Sequence, residues 1–147
     1  MSRRQALAGA LLLVLWAALP SAAAVPVDVQ AEIEYLLGYV RASDCTFYRN
    51  GTWSDAAAAE AHLREKYAFV AASGRIGTAA DFIAKVATRS SLSGQAYEVS
   101  CNGGAGVPSG QWLTEALDHH REVNAKPGTR LERARPDDDG PPSAVRM

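Results

Sequence analysis

The chain has 147 residues, 48% of them apolar and 21% charged, with 15 Lys and Arg against 16 Asp and Glu. A formal charge of −1 gives no footprint of the basic face that DNA, RNA or an anionic lipid surface requires, so no nucleic-acid partner is expected. The length suits one domain, whose modest core gains from a covalent staple.

Arg3-Arg4 leads into the apolar stretch Ala6 to Leu19 and then Ser21-Ala22-Ala23-Ala24. This is the layout of a cleavable secretory signal over residues 1–24, with small residues at the cut. The apolar stretch is about 14 residues, short of the roughly 20 that span a bilayer, so the mature chain carries no membrane span. Cleavage after Ala24 fits best and after Ala23 second. Gln5-Ala6-Leu7 lacks the Phe usual after a twin-arginine pair, which favours the general secretory route. Loss of Arg3 and Arg4 lowers the formal charge by two, to −3. The expected location is the bacterial periplasm or the exterior.

Residues 25–124 read as one α+β domain. Val29, Ile33, Leu36, Leu37 and Val40 predict an amphipathic helix over about 28–42, with Asp28 as its cap. Cys45 to Arg49 is a β-prone run ending in Asn50-Gly51, the strongest short turn signal, with Thr52-Trp53 as a brief return strand. Ser54-Asp55 opens the longest helix, about 55–72, with Ala59, Leu63, Tyr67 and Val70 inward and Gly74 as its stop. Thr78 and Asp81 have capping-box spacing before a third helix carrying Phe82, Ile83 and Val86 on one face. Ser90-Ser91-Leu92-Ser93-Gly94 breaks it, and Tyr97-Glu98-Val99 is a strand that delivers Cys101. Asn102 to Gly110 reads as a glycine-rich loop, and about 110–124 as a fourth helix with Trp112, Leu113, Ala116 and Leu117 inward. From 125 to 147 proline, glycine and charge dominate, a composition that builds no core.

The expected architecture is therefore four helices around a short antiparallel strand pair. Cys45 starts the first strand and Cys101 ends the second, so antiparallel pairing sets them side by side and implies a disulfide. Closing a loop of about 56 residues contributes on the order of 3–4 kcal/mol in the chain-entropy model.

Catalytic signatures are sparse. His62 with Ser90, Ser91 or Ser93 can be drawn as a hydrolytic base and nucleophile, but no G-x-S-x-G elbow or S-x-x-K pair supports it. A histidine hydrogen-bonded at a core edge is the more common case. His119 and His120 diverge by about 100° on a helix and do not converge on a metal. Asp137-Asp138-Asp139-Gly140 lacks the alternating ligands and closing Glu of a calcium loop. Gly103-Gly104-Ala105-Gly106 has no Lys-Ser/Thr after it to hold phosphate. No metal site or cofactor is expected. Polar residues instead gather at two turns bordering the strands: Arg49, Asn50, Ser90, Ser91, Ser93 and Gly94, with Tyr97 beneath them, form the expected binding rim.

The combination of Phe47-x-Arg49-Asn50-Gly51, His62-Leu63-Arg64-x-Lys66, Phe82-Ile83-x-Lys85 and Ser91-x-Ser93-Gly94-x-x-Tyr97 resembles the YfeK-like family of small exported bacterial proteins. The likeness covers roughly residues 30–118 and implies an exported α+β domain without a known activity. Ser93-Gly94-x-x-Tyr97 is also similar to the loop that bacterial periplasmic lysozyme inhibitors insert into a lysozyme cleft, although those are mainly β proteins. The leading expectation is a non-enzymatic binding or accessory module for a periplasmic protein or cell-envelope component. A lysozyme-inhibitor-like protein and a small hydrolase with His62 as base are the alternatives.

Overall fold

The computed structural model describes residues 24–126. The expected signal up to Ala23 and the charged tail from residue 127 lie outside the described residues.

Helix α1 (Val27–Ala42) forms where Val29, Ile33, Leu36, Leu37 and Val40 recur at three- and four-residue spacing, and all five are buried. Asp28 is not its cap. The helix starts directly after Pro26, and Asp28 falls in the first turn, where its charge favours the positive end of the helix dipole. Strands β1 (Cys45–Arg49) and β2 (Thr52–Ser54) join through Asn50 at φ 48° and Gly51 at φ 87°. Two successive left-handed residues make the turn whose twist matches a hairpin.

Asp55 caps helix α2 (Ala56–Ala72) by accepting from the Ala58 N–H at 2.8 Å, and Gly74, at φ 69°, comes just after its end. Thr78 and Asp81 form the expected capping box of α3 (Ala79–Phe82). Beyond Phe82 the chain departs from the single α-helix anticipated. Residues Ile83–Ala87 widen into a π-helical turn, and the Thr88 hydroxyl donates to the Ile83 carbonyl, five residues back, at 2.7 Å. The wider turn shifts the helix face, so Ile83, Val86 and Ala87 all stay buried beside Phe82.

Strand β3 (Glu98–Cys101) pairs antiparallel with β1, placing Cys45 directly opposite Cys101, and the two are disulfide-bonded. The segment read as a plain glycine-rich loop contains a fourth strand, β4 (Val107–Pro108), on the outer side of β3. A two-residue strand ending in proline carries almost no periodic signal, and proline is confined to sheet edges because it cannot donate. The result is a four-stranded antiparallel sheet, order β2-β1-β3-β4, rather than a bare strand pair. Helix α4 (Ser109–Ala125) continues from it without a gap.

Phe47 and Val99 are paired and buried on the sheet face covered by the helices, while Tyr48 pairs with Trp53 across the hairpin. Phe82, Leu36, Leu37 and Leu113 fill the centre. Each such side chain stabilises by about 1.5–3 kcal/mol relative to exposure. Trp112 is only half-buried, its ring 4.7 Å from Tyr39 and 5.8 Å from Phe47, and His120 stacks on Tyr35 at 3.8 Å. Arg64 clamps Glu34 with two bonds of 2.9 Å and Arg121 holds Glu32, tying α2 and α4 to α1. These pairs are exposed and contribute little individually.

Candidate functional site

Strand parity puts Arg49 on the same side of β1 as Cys45 and Phe47, but at the end of the strand, where the core stops. Its side chain is exposed and borders a groove of about 440 Å³. Helix α2 forms one wall with His62, Lys66, Phe69 and Val70, which share a face at three- and four-residue spacing. The loop from Ser90 to Leu92 forms the other wall, with Tyr97 between them.

That loop is tied down rather than loose. Arg89 bridges Ala96, the Ser90 N–H donates to the Gln95 carbonyl at 2.8 Å, and the Gly94 N–H donates to the Ser90 carbonyl at 3.0 Å. Ser90 is buried, and its hydroxyl oxygen accepts from the backbone of Leu92 and Ser93, each at 3.3 Å, and from the Asn50 amide at 3.2 Å. The Ser93 hydroxyl donates to the other end of the same amide at 2.6 Å. Asn50 therefore bolts the β1–β2 turn to the loop. Ser91, Ser93 and Gly94 are exposed, with Gly94 at φ 72°. The sequence-predicted rim is thus assembled, with a division of labour. Ser90, Asn50 and Ser93 position the loop, and Arg49, Asn50, Ser90 and Ser91 all line the groove.

Tyr97 is buried, and its hydroxyl lies 3.2 Å from His62 Nε2. The contact engages the nitrogen a hydrolytic base would use, and no hydrogen bond joins His62 to Ser90, Ser91 or Ser93 among the described residues. Lys66 Nζ lies 5.1 Å from the centre of the Tyr97 ring and donates to the Arg89 carbonyl at 2.6 Å. Burial, followed by the positive charges of Arg49 and Lys66, holds the His62 imidazole below its ordinary value, with Glu65 opposing. Burial and then Arg49 likewise lower the Lys66 ammonium. Burial raises the Tyr97 phenol, against the pull of Arg49.

Among the described residues the groove lining thus carries Arg49, Lys66 and Arg75 against one carboxylate, Glu65. Arg49 has no salt-bridge partner among the described residues. Phe69 and Arg75 were not singled out by sequence reasoning, and Lys66 entered it only as the end of the His62-Leu63-Arg64-x-Lys66 motif. The signal for Phe69 was the continuation of the His62 and Lys66 face along α2; Arg75 lies beyond that helix and left none. Among the described residues no cluster of His, Cys, Asp and Glu could hold a metal ion, and no helix is long and apolar enough to cross a membrane.

A sheet edge bolted to a loop beside a cationic groove, with one disulfide across the strands, defines a small disulfide-linked α+β protein. The chain belongs to the family described as Family of unknown function (DUF5329), whose model matches residues 27–121. That match ties it to the family and not to the YfeK-like name. No curated protein and no solved structure gives a significant match.

Proposed function

We propose that the mature chain is an exported, non-enzymatic binding or accessory module. It engages a periplasmic protein or another cell-envelope component through Arg49, Asn50, Ser91, Ser93 and Gly94. The observation that carries this reading is Arg49, a guanidinium without a salt-bridge partner among the described residues, beside a loop wall hydrogen-bonded in place. Export rests on the pattern from Arg3 to Ala24. The Cys45–Cys101 bond supports it, because disulfides persist in oxidising compartments. The YfeK-like likeness belongs to the same reading.

The test is a paired capture from periplasmic extract with wild-type protein and Arg49→Glu, their thermal midpoints matched. A component retained by the first and lost by the second supports the module. Equal retention by both refutes it.

The loop favours a second reading, a lysozyme-inhibitor-like protein. Ser93 and Gly94 sit exposed, Gly94 has positive φ, and Tyr97 is buried. Purified protein should then slow cell-wall lysis by at least one lysozyme. No inhibition at micromolar concentration retires it.

A further inference from the structure

We infer that the groove beside Arg49 binds a small amphiphilic anion, a carboxylate or phosphate monoester on an apolar chain, with the head at Arg49 and Lys66 and the chain against Phe69 and Leu92. This rests on the binding-module reading and names the ligand class of the same site.

The head-group half comes from the donors. Arg49 offers five N–H donors in a planar fork that matches carboxylate and phosphate oxygens. Lys66 spends one proton on the Arg89 carbonyl and keeps two. Arg75 adds a third positive charge to the lining, where Glu65 is the one carboxylate among the described residues. Arg49 and Lys66 lie close enough that Arg49 disfavours the charged form of Lys66, a repulsion that an anion between them would relieve. Tyr97 and His62, hydrogen-bonded to each other, close the inner end without adding negative charge.

The apolar half comes from two side chains that the fold leaves uncovered. Phe69 is 76% exposed and Leu92 97% exposed, and both line this groove with Val70. Large apolar groups clustered at the mouth of a charged groove mark a contact surface. The volume of about 440 Å³ lies within the roughly 300–1,000 Å³ of small-molecule sites. A membrane surface is the poorer occupant, because the chain as a whole is slightly acidic.

The test titrates isotope-labelled mature protein with octyl phosphate, inorganic phosphate and octanol, following amide shifts. Octyl phosphate should move Arg49, Lys66, Phe69 and Leu92 and bind at least about tenfold more tightly than either half-ligand. Arg49→Ala and Lys66→Gln should each weaken it about tenfold or more, the loss of a charge-assisted hydrogen bond, with thermal midpoints near wild type. Vesicles containing phosphatidylglycerol should not sediment the protein. The inference is overturned by any of four results: no shifts at millimolar octyl phosphate, inorganic phosphate binding as tightly as octyl phosphate, unchanged affinity in both folded variants, or vesicle binding that octyl phosphate does not displace. If octyl phosphate fails while an extract component is still lost on Arg49→Glu, the ligand class falls and the binding module stands.

Discussion

Tyr97 is where stability and site geometry meet, and its replacement separates the two. The side chain is 7% exposed, its ring sits edge-on to His62 at 6.0 Å between centroids, and Lys66 Nζ lies 5.1 Å from its centre. Tyr97→Ala removes a nearly fully buried ring and should cost about 3–5 kcal/mol, the range for large aromatic truncations. Tyr97→Phe keeps the ring and deletes only the hydroxyl that meets His62 Nε2 at 3.2 Å. It should cost about 0.5–1.5 kcal/mol, the net worth of one hydrogen bond. At roughly 4–8 °C per kcal/mol for a domain of this size, the midpoint should drop by several degrees. The backbone bonds from the Tyr97 N–H to Thr88 and from the Ser109 N–H to Tyr97, both 2.9 Å, survive in each variant, so the loop should keep its path. Urea unfolding followed by tryptophan fluorescence measures all of this. A cycle combining Tyr97→Phe with His62→Gln should give a coupling of about 0.5–1.5 kcal/mol. A Tyr97→Ala cost below about 1 kcal/mol, or zero coupling to His62, would refute the reasoning.

The remaining predictions concern the crosslink, pH and the loop tip. Thiol labelling of denatured, unreduced protein should find no free cysteine, and replacing Cys45 and Cys101 together by Ala should destabilise by about 4 kcal/mol in the chain-entropy model. Two labelled thiols per chain would contradict the bond. The depressed His62 imidazole means that the unfolded chain binds the extra proton more readily. Stability should therefore fall as pH drops below about 6.5, and His62→Gln should flatten that slope; an unchanged slope would be the contrary result. Asp81, held at about 2 by hydrogen bonds from Lys85 and the Gly77 backbone, acts in a separate window. Its contribution is complete above its ordinary value of 3.8 and is lost as pH falls through about 2, a loss that Asp81→Asn should abolish. Gly94 has open space where a Cβ would lie, so Gly94→Ala should cost about 1–2 kcal/mol from φ 72° alone and Gly94→Asn less. A cost above about 3 kcal/mol would mean that the tip packs more tightly than this.

The disulfide was legible because two independent signals agreed. β-prone runs bracketed by Cys45 and Cys101 imply one register, and the strands pair in it. The helices were legible from their burial periods, and α3 from its capping box. Val107-Pro108 was not, because two residues show no alternation and their place depends on pairing with Glu98 and Val99 across a glycine-rich turn. The π-helical turn was missed for a related reason. Ile83, Val86 and Ala87 fit a 3.6-residue period nearly as well as a wider one, so their spacing does not separate the two turns. For the site, turn chemistry pointed to Arg49, Asn50 and the serines, which the fold sets beside one another. It could not tell that Ser90 points inward, nor that Lys66, Phe69 and Arg75 would face Arg49 across a groove, since that depends on how α2 crosses the sheet.

The most direct measurement is an amide shift map of the isotope-labelled mature protein during addition of the envelope component captured from periplasmic extract. The binding-module account predicts shifts concentrated at Arg49, Asn50, Lys66, Ser91 and Leu92, and their disappearance in Arg49→Glu. Shifts confined to the α1–α4 face around Tyr39 and Trp112, or a map unchanged by Arg49→Glu, would contradict it.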